Sequence, residues 1–446
     1  MISHVALLCC FALVSDAKGF PWIRQFASIG DSYAAGLGAG NRIDFSCSRY
    51  EQSYPNILHS LGFLGSASER THQFLACSGA TAVETLQKQV PALTNDIDLL
   101  TISAGGNDVG MTPVLDACIF QFRLGGDCDA AIIEANKRIT DKTLMYTNVK
   151  NLFDAVKPKL TKNNALVFVT GYSLFFGVED HLCDNVTWAV WRDVQGAKPF
   201  LKLEMRQKLN DMVRAVNHLL YNAALEAGPN FHFVDYSAAI EKAQGRYCEA
   251  GVEEPDPNRK GLSFYEWNTV DTGENGTALQ RKTGDNVPKG SFEADLASRV
   301  HKTLQEHPDM EFDPEKGFVN KSKISPDGAA EDLIWWLLPD SWKRIFHPRP
   351  AAHTIIAQMI YEDINKIDQQ RDGITMLISI LGGTLFAIIG VIVVLVNCLR
   401  RRRAGPWIPA WFRLGKTYVV HEDDRTTPYE TLQRQPTNGS SYHTFE

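Results

Sequence analysis

The sequence predicts an α/β fold: a three-layer α/β/α unit around a central parallel sheet, plus one C-terminal transmembrane helix. Three observations carry this reading. First, four short apolar runs, Phe26–Ile29, Leu99–Ser103, Ala165–Thr170 and Phe231–Val234, have the length and continuity of strands buried on both faces. Second, longer segments of helical spacing lie between them. Ala130 to Leu160 places Ile132, Ile139, Tyr146, Val149, Phe153 and Val156 near one face, and Phe200 to Ala227 does the same with Met205, Leu209, Val213, Val216 and Leu220. Strand alternating with helix implies a parallel sheet covered on both sides. Third, the 23 residues Ile374 to Val396 contain no charge and are followed by Arg400, Arg401, Arg402 and Arg403.

At ~1.5 Å per residue those 23 residues reach about 34 Å, enough to cross a hydrocarbon core of ~30 Å. The arginines hold the C-terminal flank in the cytoplasm by the positive-inside rule. At the other end, Val5 to Val14 is a ten-residue apolar run followed by the small residues Ser15 and Ala17, a signal-peptide pattern too short to span a bilayer. The expected organisation is therefore a signal peptide at 1–17, one α/β domain at 18–370, a membrane helix at 374–399 and a cytoplasmic tail at 400–446. That is a single-pass type I protein with its bulk extracellular or lumenal. Within the domain, Gly245 to Ser325 is rich in Pro, Gly, Asn and charge, with only Asp295–Thr303 of helical spacing, and reads as a long loop-rich insertion at 245–325. Helical periodicity resumes over Ala352–Ile364, and Gln369 to Gly373 leave a short stalk.

Composition narrows the function classes. An apolar share of 44 % supports a large core, and a net charge of −7 without a basic stripe excludes a dedicated nucleic-acid binder. No fixed-period repeat is present, which excludes solenoids and propellers. Of nine cysteines, Cys9 and Cys10 lie in the leader and Cys398 at the inner membrane face. The remaining six, Cys47, Cys77, Cys118, Cys128, Cys183 and Cys248, fit three disulfides of an exported domain. Sequential pairing is preferred because it closes short loops. No CxxC pair supports a zinc or redox site, and no metal or cofactor is expected. Asn185, Asn275 and Asn320 stand in N-x-S/T sequons on the exported side, whereas Asn438 matches the pattern in the tail.

Four elements carry chemistry. The strand Phe26–Ile29 ends in Gly30-Asp31-Ser32-Tyr33, at the carboxyl end of the sheet where ligands bind in open α/β folds. A serine there can present its hydroxyl as a nucleophile and its own N–H as an oxyanion donor, or simply cap the next helix. The strand Leu99–Ser103 ends in Ala104-Gly105-Gly106-Asn107-Asp108, and the Asn107 amide can donate to an oxyanion without carrying charge, or serve only as a turn residue. Cys77-Ser78-Gly79-Ala80 supplies a tight turn with a further backbone N–H. His347, fixed by Pro348 just before a helix, can lean over the strand ends as a base, with His353 as the competing histidine.

In this order the blocks Gly30-Asp31-Ser32-Tyr33, Gly79, Gly105-Gly106-Asn107-Asp108 and His347 resemble the SGNH hydrolases, also called GDSL-type esterases and lipases. The resemblance runs from residue 26 to about 365. It implies a flavodoxin-like fold and hydrolysis of carboxylic esters through an acyl-enzyme. Ser32 is then the nucleophile, His347 the general base and later acid, and the Ser32 N–H, Gly79 N–H and Asn107 side chain the oxyanion hole. One departure is plain. The family's orienting aspartate lies three residues before the histidine, where this chain has Arg344. An arginine side chain cannot accept the imidazole N–H, but its backbone carbonyl can, as in a branch of the family that includes actinobacterial esterases with similar cysteine-rich loops. The resemblance therefore implies a Ser–His dyad backed by the Arg344 carbonyl, with Asp340 the alternative carboxylate. Loss of activity is expected below an imidazole pKa around 6.5.

Two other readings compete with this one. Gly36-Leu37-Gly38-Ala39-Gly40 approaches a dinucleotide fingerprint, but Asn41 holds the last slot and the glycines start too late after the strand. A catalytically inactive surface receptor on the same fold is the alternative function, disfavoured by the intact Ser32, Gly79, Asn107 and His347. The expected partners are an ester substrate (lipid, acylated carbohydrate or small ester), the membrane through the C-terminal helix, and a sorting adaptor at Tyr429-Glu430-Thr431-Leu432. Trp335, Trp336 and Leu337 read as a buried aromatic cluster rather than a lipid-facing patch.

Overall fold

Two apolar runs, Leu99–Ser103 and Leu166–Thr170, are wholly buried, and the architecture grows outward from them. The computed structural model describes residues 19–44, 46–60, 64–120, 127–161, 164–188, 199–266, 269, 302, 304–313, 317–320 and 344–403. Its main sheet contains β1 (Gln25–Gly30), β2 (Thr71–Phe74), β3 (Leu99–Ser103), β4 (Leu166–Thr170) and β5 (Phe231–Val234). All neighbours are parallel, in the order β2-β1-β3-β4-β5, with Phe26 opposite Leu99 and Gly30 opposite Ser103. That order is flavodoxin-like. It reverses direction between β1 and β3, so the carboxyl ends of these two strands border the crevice where such sheets bind ligands.

The helical layers follow from apolar stripes. Helix α1 (Ser32–Ala35) leaves β1 directly. Between β3 and β4 the expected single helical segment is two helices, α2 (Cys128–Thr140) and α3 (Met145–Val156). The break is made by Asp141, whose carboxylate accepts hydrogen bonds from the Thr143 N–H at 2.9 Å and its hydroxyl at 2.6 Å. This local turn competes with the helix and leaves the apolar periodicity unbroken. Helix α4 (Leu203–Ala227) buries Leu209, Met212, Val213, Val216, Leu220, Ala223 and Ala224. Helix α5 (Pro350–Arg403) begins with a buried stripe of Ala352, Ile356, Ala357, Ile360 and Ile364. Its first turn meets the helix Tyr54–Ser60, where the Tyr54 N–H donates to His353 Nδ1 at 3.2 Å.

The chain divides into two compact units, residues 1–372 and 373–446. In the first, the six cysteines pair sequentially as Cys47–Cys77, Cys118–Cys128 and Cys183–Cys248. The opening of the expected insertion is no loose excursion. Tyr247, Leu262, Phe264 and Tyr265 are buried, and Phe264 and Tyr265 bridge to Pro348 and Ile345. Aromatic side chains, hidden among Pro, Gly and charge in the sequence, draw residues 245–266 into the core. Of the remainder of the insertion, residues 269, 302, 304–313 and 317–320 are described, with Met310–Asp313 and Gly317–Asn320 paired antiparallel. In the second unit, α5 is long and apolar enough to cross a membrane, with a window of mean hydropathy 2.7 that is unburied. The residues read as a stalk, 369–373, are helical. The leader at 1–17, Asn275, Trp335 to Leu337, Asp340, the Tyr429–Leu432 motif and Asn438 lie outside the described residues.

Candidate active site

The site begins at the end of β1. Gly30 has φ +128°, and a Cβ there would sit 2.0 Å from the Ser103 carbonyl, so only glycine lets β1 close on β3 at this level. Asp31 follows as the N-cap of α1, its carboxylate accepting the Tyr33 N–H at 3.0 Å. The same carboxylate accepts the Ser103 hydroxyl at 2.8 Å and the Tyr172 hydroxyl at 2.5 Å. Burial pushes the Asp31 pKa up to about 6, against the lowering effect of these bonds, led by Tyr172. The cap fixes Ser32 as the first residue of α1, 7 % exposed.

His347 reaches this serine from 315 residues away, with Nε2 2.7 Å from Ser32 Oγ. On the other side of the ring, Nδ1 lies 3.1 Å from the Ile345 carbonyl. A carbonyl only accepts, so Nδ1 carries the proton, Nε2 is the acceptor and the serine hydroxyl donates. Beside Ile345 stands the expected Arg344, whose carbonyl also favours the protonated imidazole. Its carbonyl accepts the His347 backbone N–H at 2.8 Å, while Ile345 supplies the oxygen within bonding distance of the ring. Desolvation draws the His347 pKa down to about 4, opposed by the Ile345 and Arg344 carbonyls. The value of about 6.5 belongs to an unperturbed imidazole, which this desolvated ring is not. The rival histidine is committed elsewhere: His353 is fully buried, with Nδ1 on the Tyr54 N–H.

The histidine segment is held by backbone and rings. Phe346 adopts φ +64°, a left-handed conformation uncommon for a bulky residue. Its N–H donates to the Tyr265 carbonyl at 2.9 Å, and its carbonyl accepts the Tyr33 hydroxyl at 2.7 Å. The Phe346 ring packs edge-on to Phe175 and near Phe176, Trp188 and Tyr247, at centroid distances of 4.8 to 5.9 Å. The Arg344 guanidinium lies over the Tyr265 ring at 4.2 Å and donates to the Thr269 carbonyl. Interactions from 265–269 and from α1 thus fix the turn that aims His347.

Gly79 and Asn107 come to the same end of the sheet. The Cys77 N–H donates to the Gly30 carbonyl at 2.9 Å, and Cys77 is joined to Cys47, so the turn containing Gly79 is anchored beside β1. Gly79 has φ +82°. The Asn107 amide donates to the Ala80 carbonyl at 3.0 Å, tying the loop after β3 to that turn and leaving its second N–H for another acceptor. Tyr33, Ser103, Tyr172 and Phe346 also support the site. Tyr33 lies within the first motif, but neither Tyr172 nor Phe346 carries a sequence pattern that marks it. Of the sequon residues, Asn185 is exposed and Asn320 lies at the end of a short strand. A hydroxyl hydrogen-bonded to a neutral imidazole, beside backbone and amide donors, is an arrangement able to attack a carbonyl and hold the resulting oxyanion.

Residues 28–261, more than half of the chain, match the model of the GDSL-like Lipase/Acylhydrolase family. Lipase 1 of Streptomyces coelicolor is 32 % identical over 153 residues, covering 34 % of this chain and 53 % of that lipase. A lipase of Streptomyces rimosus is 31 % identical over 166 residues, covering 36 % of this chain and 58 % of the relative. The chain thus spans a little over half the length of these curated relatives. Among solved structures, the extracellular lipase of Streptomyces rimosus aligns with a TM-score of 0.39 and 24 % identity, over 53 % of this chain and 90 % of that one. Phospholipase A1 of Streptomyces albidoflavus aligns at 0.39 and 23 %, over 49 % and 82 %. On the family match, which contains the end of β1 with Ser32, the Gly79 turn and the Gly105-Gly106-Asn107 loop, this chain belongs to the GDSL-like lipase/acylhydrolase family.

Proposed function

We propose that the protein hydrolyses carboxylic esters through an acyl-enzyme formed on Ser32, with His347 as general base. The observation that carries this reading is the 2.7 Å contact between Ser32 Oγ and His347 Nε2, made by residues 315 apart in sequence. As the Ser32 oxygen bonds to the ester carbonyl carbon, its proton passes to Nε2. The ring, then an imidazolium, returns that proton to the leaving alkoxide as the C–O bond breaks. A water molecule repeats the sequence on the acyl-enzyme and regenerates the serine. The Ser32 and Gly79 N–H groups and the free Asn107 N–H receive the negative charge on the carbonyl oxygen. The Ile345 carbonyl, with Arg344 behind it, holds the tautomer that a carboxylate holds in a triad, so Asp340 has no required role.

The substrate class is an ester of a lipid, an acylated carbohydrate or a small alcohol, with residues 374–399 spanning a membrane and the domain on its extracellular or lumenal side. Three disulfides and the apolar α5 support that placement. The test is hydrolysis of short- and long-chain p-nitrophenyl esters by the full chain in detergent, with fluorophosphonate labelling mapped to Ser32. Turnover with Ser32 labelled is expected. A folded protein that neither turns over esters nor labels at Ser32 would favour the inactive-receptor alternative.

The pH dependence follows from the pKa directions. The base must be neutral, and its pKa lies near 4, so kcat/KM is expected to persist well below pH 6.5 and to vanish as pH falls through about 4. Asp31, at about 6, is the other site group titrating in this range. Asp31→Asn removes any step near 6 and leaves the one near 4. Between about 6.5 and 4 the unfolded chain binds the His347 proton more readily than the folded one, so this group also lowers stability as pH falls. A pH–rate profile whose limb stays at 6.5 in Asp31→Asn overturns the assignment of His347 as an enclosed base.

A further inference from the structure

The carboxyl ends of three strands meet at one hydroxyl. Tyr172 follows β4 by two residues and is buried, with its ring edge-on to Tyr33 at 5.0 Å. Its hydroxyl donates to Asp31 Oδ2 at 2.5 Å and accepts the Gly106 N–H at 2.9 Å. Asp31 is the residue before Ser32, and Gly106 the residue before Asn107. A Cβ on Gly106 would lie 3.1 to 3.2 Å from the Tyr172 ring and hydroxyl, so glycine lets the loop approach closely. The backbone of Tyr172 is itself clamped. Asn217 of α4 accepts its N–H at 2.8 Å and donates to its carbonyl at 2.7 Å. Burial and the Asp31 charge raise the phenol's pKa well above 10, so it stays a donor.

We propose that the Tyr172 hydroxyl is a positioning group that locks the Ser32 loop and the Asn107 loop into one register, so that nucleophile and oxyanion donor act on the same carbonyl. The kinetic part of this proposal rests on the esterase reading above. A hydroxyl is the smallest group able to do this. It gives its one proton to the carboxylate and still offers lone pairs to an amide N–H. The Tyr172 hydroxyl is hydrogen-bonded to both loops. Ser103 bonds Asp31 and lies against the Tyr172 hydroxyl but does not bond Gly106, which makes Ser103→Ala the control for loss of a carboxylate donor with the link from Tyr172 to Gly106 kept.

The test compares wild type, Tyr172→Phe, Ser103→Ala, Asn107→Ala and the Tyr172→Phe/Asn107→Ala pair in the full chain. Phenylalanine keeps the ring against Tyr33 and removes only the oxygen. Tyr172→Phe is expected to lower kcat for p-nitrophenyl butyrate ~10- to 100-fold with KM within ~3-fold, since a misplaced oxyanion donor costs transition-state rather than ground-state binding. In the Asn107→Ala background the same change should cost under ~3-fold, there being no amide left to place. Equal losses in both backgrounds, or a Ser103→Ala loss as large as that of Tyr172→Phe, overturn the proposal. Amide hydrogen exchange over residues 104–110 reads the tether independently of turnover. Faster exchange in Tyr172→Phe than in Ser103→Ala is expected, and unchanged exchange overturns the proposal even if activity falls. A wild type inert toward esters but showing the exchange difference would sink the esterase reading while leaving the lock in place.

Discussion

Ser32→Ala and His347→Ala are each expected to lower kcat for p-nitrophenyl butyrate by ~10⁴-fold or more, and the double variant to be no worse than the lower single. The non-additivity is the informative part. With the base gone the serine hydroxyl has nothing to take its proton, and with the serine gone the imidazole has nothing to activate. No neighbouring group can substitute. His353 is buried with Nδ1 already on a backbone N–H, and the Asp31 carboxylate is occupied by Ser103, Tyr172 and the Tyr33 N–H. Steady-state kinetics, with thermal melting to confirm that each variant folds, make the measurement. Losses that multiply, or more than a tenth of activity left in His347→Ala, would mean that the two residues do not act as a unit.

The parts of the fold written as continuous apolar runs were legible in sequence, and the parts written otherwise were not. β3 and β5 occupy the expected residues, β1 is longer by one residue at each end and β4 shorter by one at its start, because central strands buried on both faces are largely apolar and the edge strand β5 still buries Phe231 and Val234. β2 reads Thr-His-Gln-Phe and escaped notice as a strand. It lies at the edge of the sheet, pairs only with β1, and has no need of an apolar run. The break between α2 and α3 was equally silent, since an aspartate turning the chain through its own side chain does not interrupt an apolar stripe.

The candidate site divides along the same line. Ser32, Gly79 and Asn107 follow strands or tight turns that composition marks, and His347 is marked by the proline after it. Which carbonyl faces the imidazole is decided by the Phe346 backbone at φ +64°, and that conformation is stabilised by an aromatic socket and by Tyr33 and Tyr265, all distant in sequence. No local pattern encodes such a choice, so the share taken by Ile345 beside Arg344 could be found only in three dimensions. Tyr172 is the same kind of case. A tyrosine after a buried strand is unremarkable until its hydroxyl is seen between Asp31 and Gly106.

Asn107→Ala is the second large effect. Removing one oxyanion donor from a water-excluded site is expected to cost ~10²- to 10³-fold in kcat, about 2.7–4 kcal/mol, with KM nearly unchanged. The split follows from what the amide does at each stage. One N–H is spent on the Ala80 carbonyl in the resting protein, holding the group in place, and under the proposed mechanism the other would meet full negative charge only when the tetrahedral intermediate forms. A ground-state ester oxygen carries little charge, so binding loses little. Asn107→Asp tests the charge at this position, since it loses the Ala80 tether just as alanine does. The aspartate keeps the shape but offers no N–H and adds a negative charge where the oxyanion forms, so it should be at least as slow as alanine. An Asn107→Asp variant faster than Asn107→Ala, or an alanine variant whose loss lies mainly in KM, would show that Asn107 does not stabilise a developing negative charge.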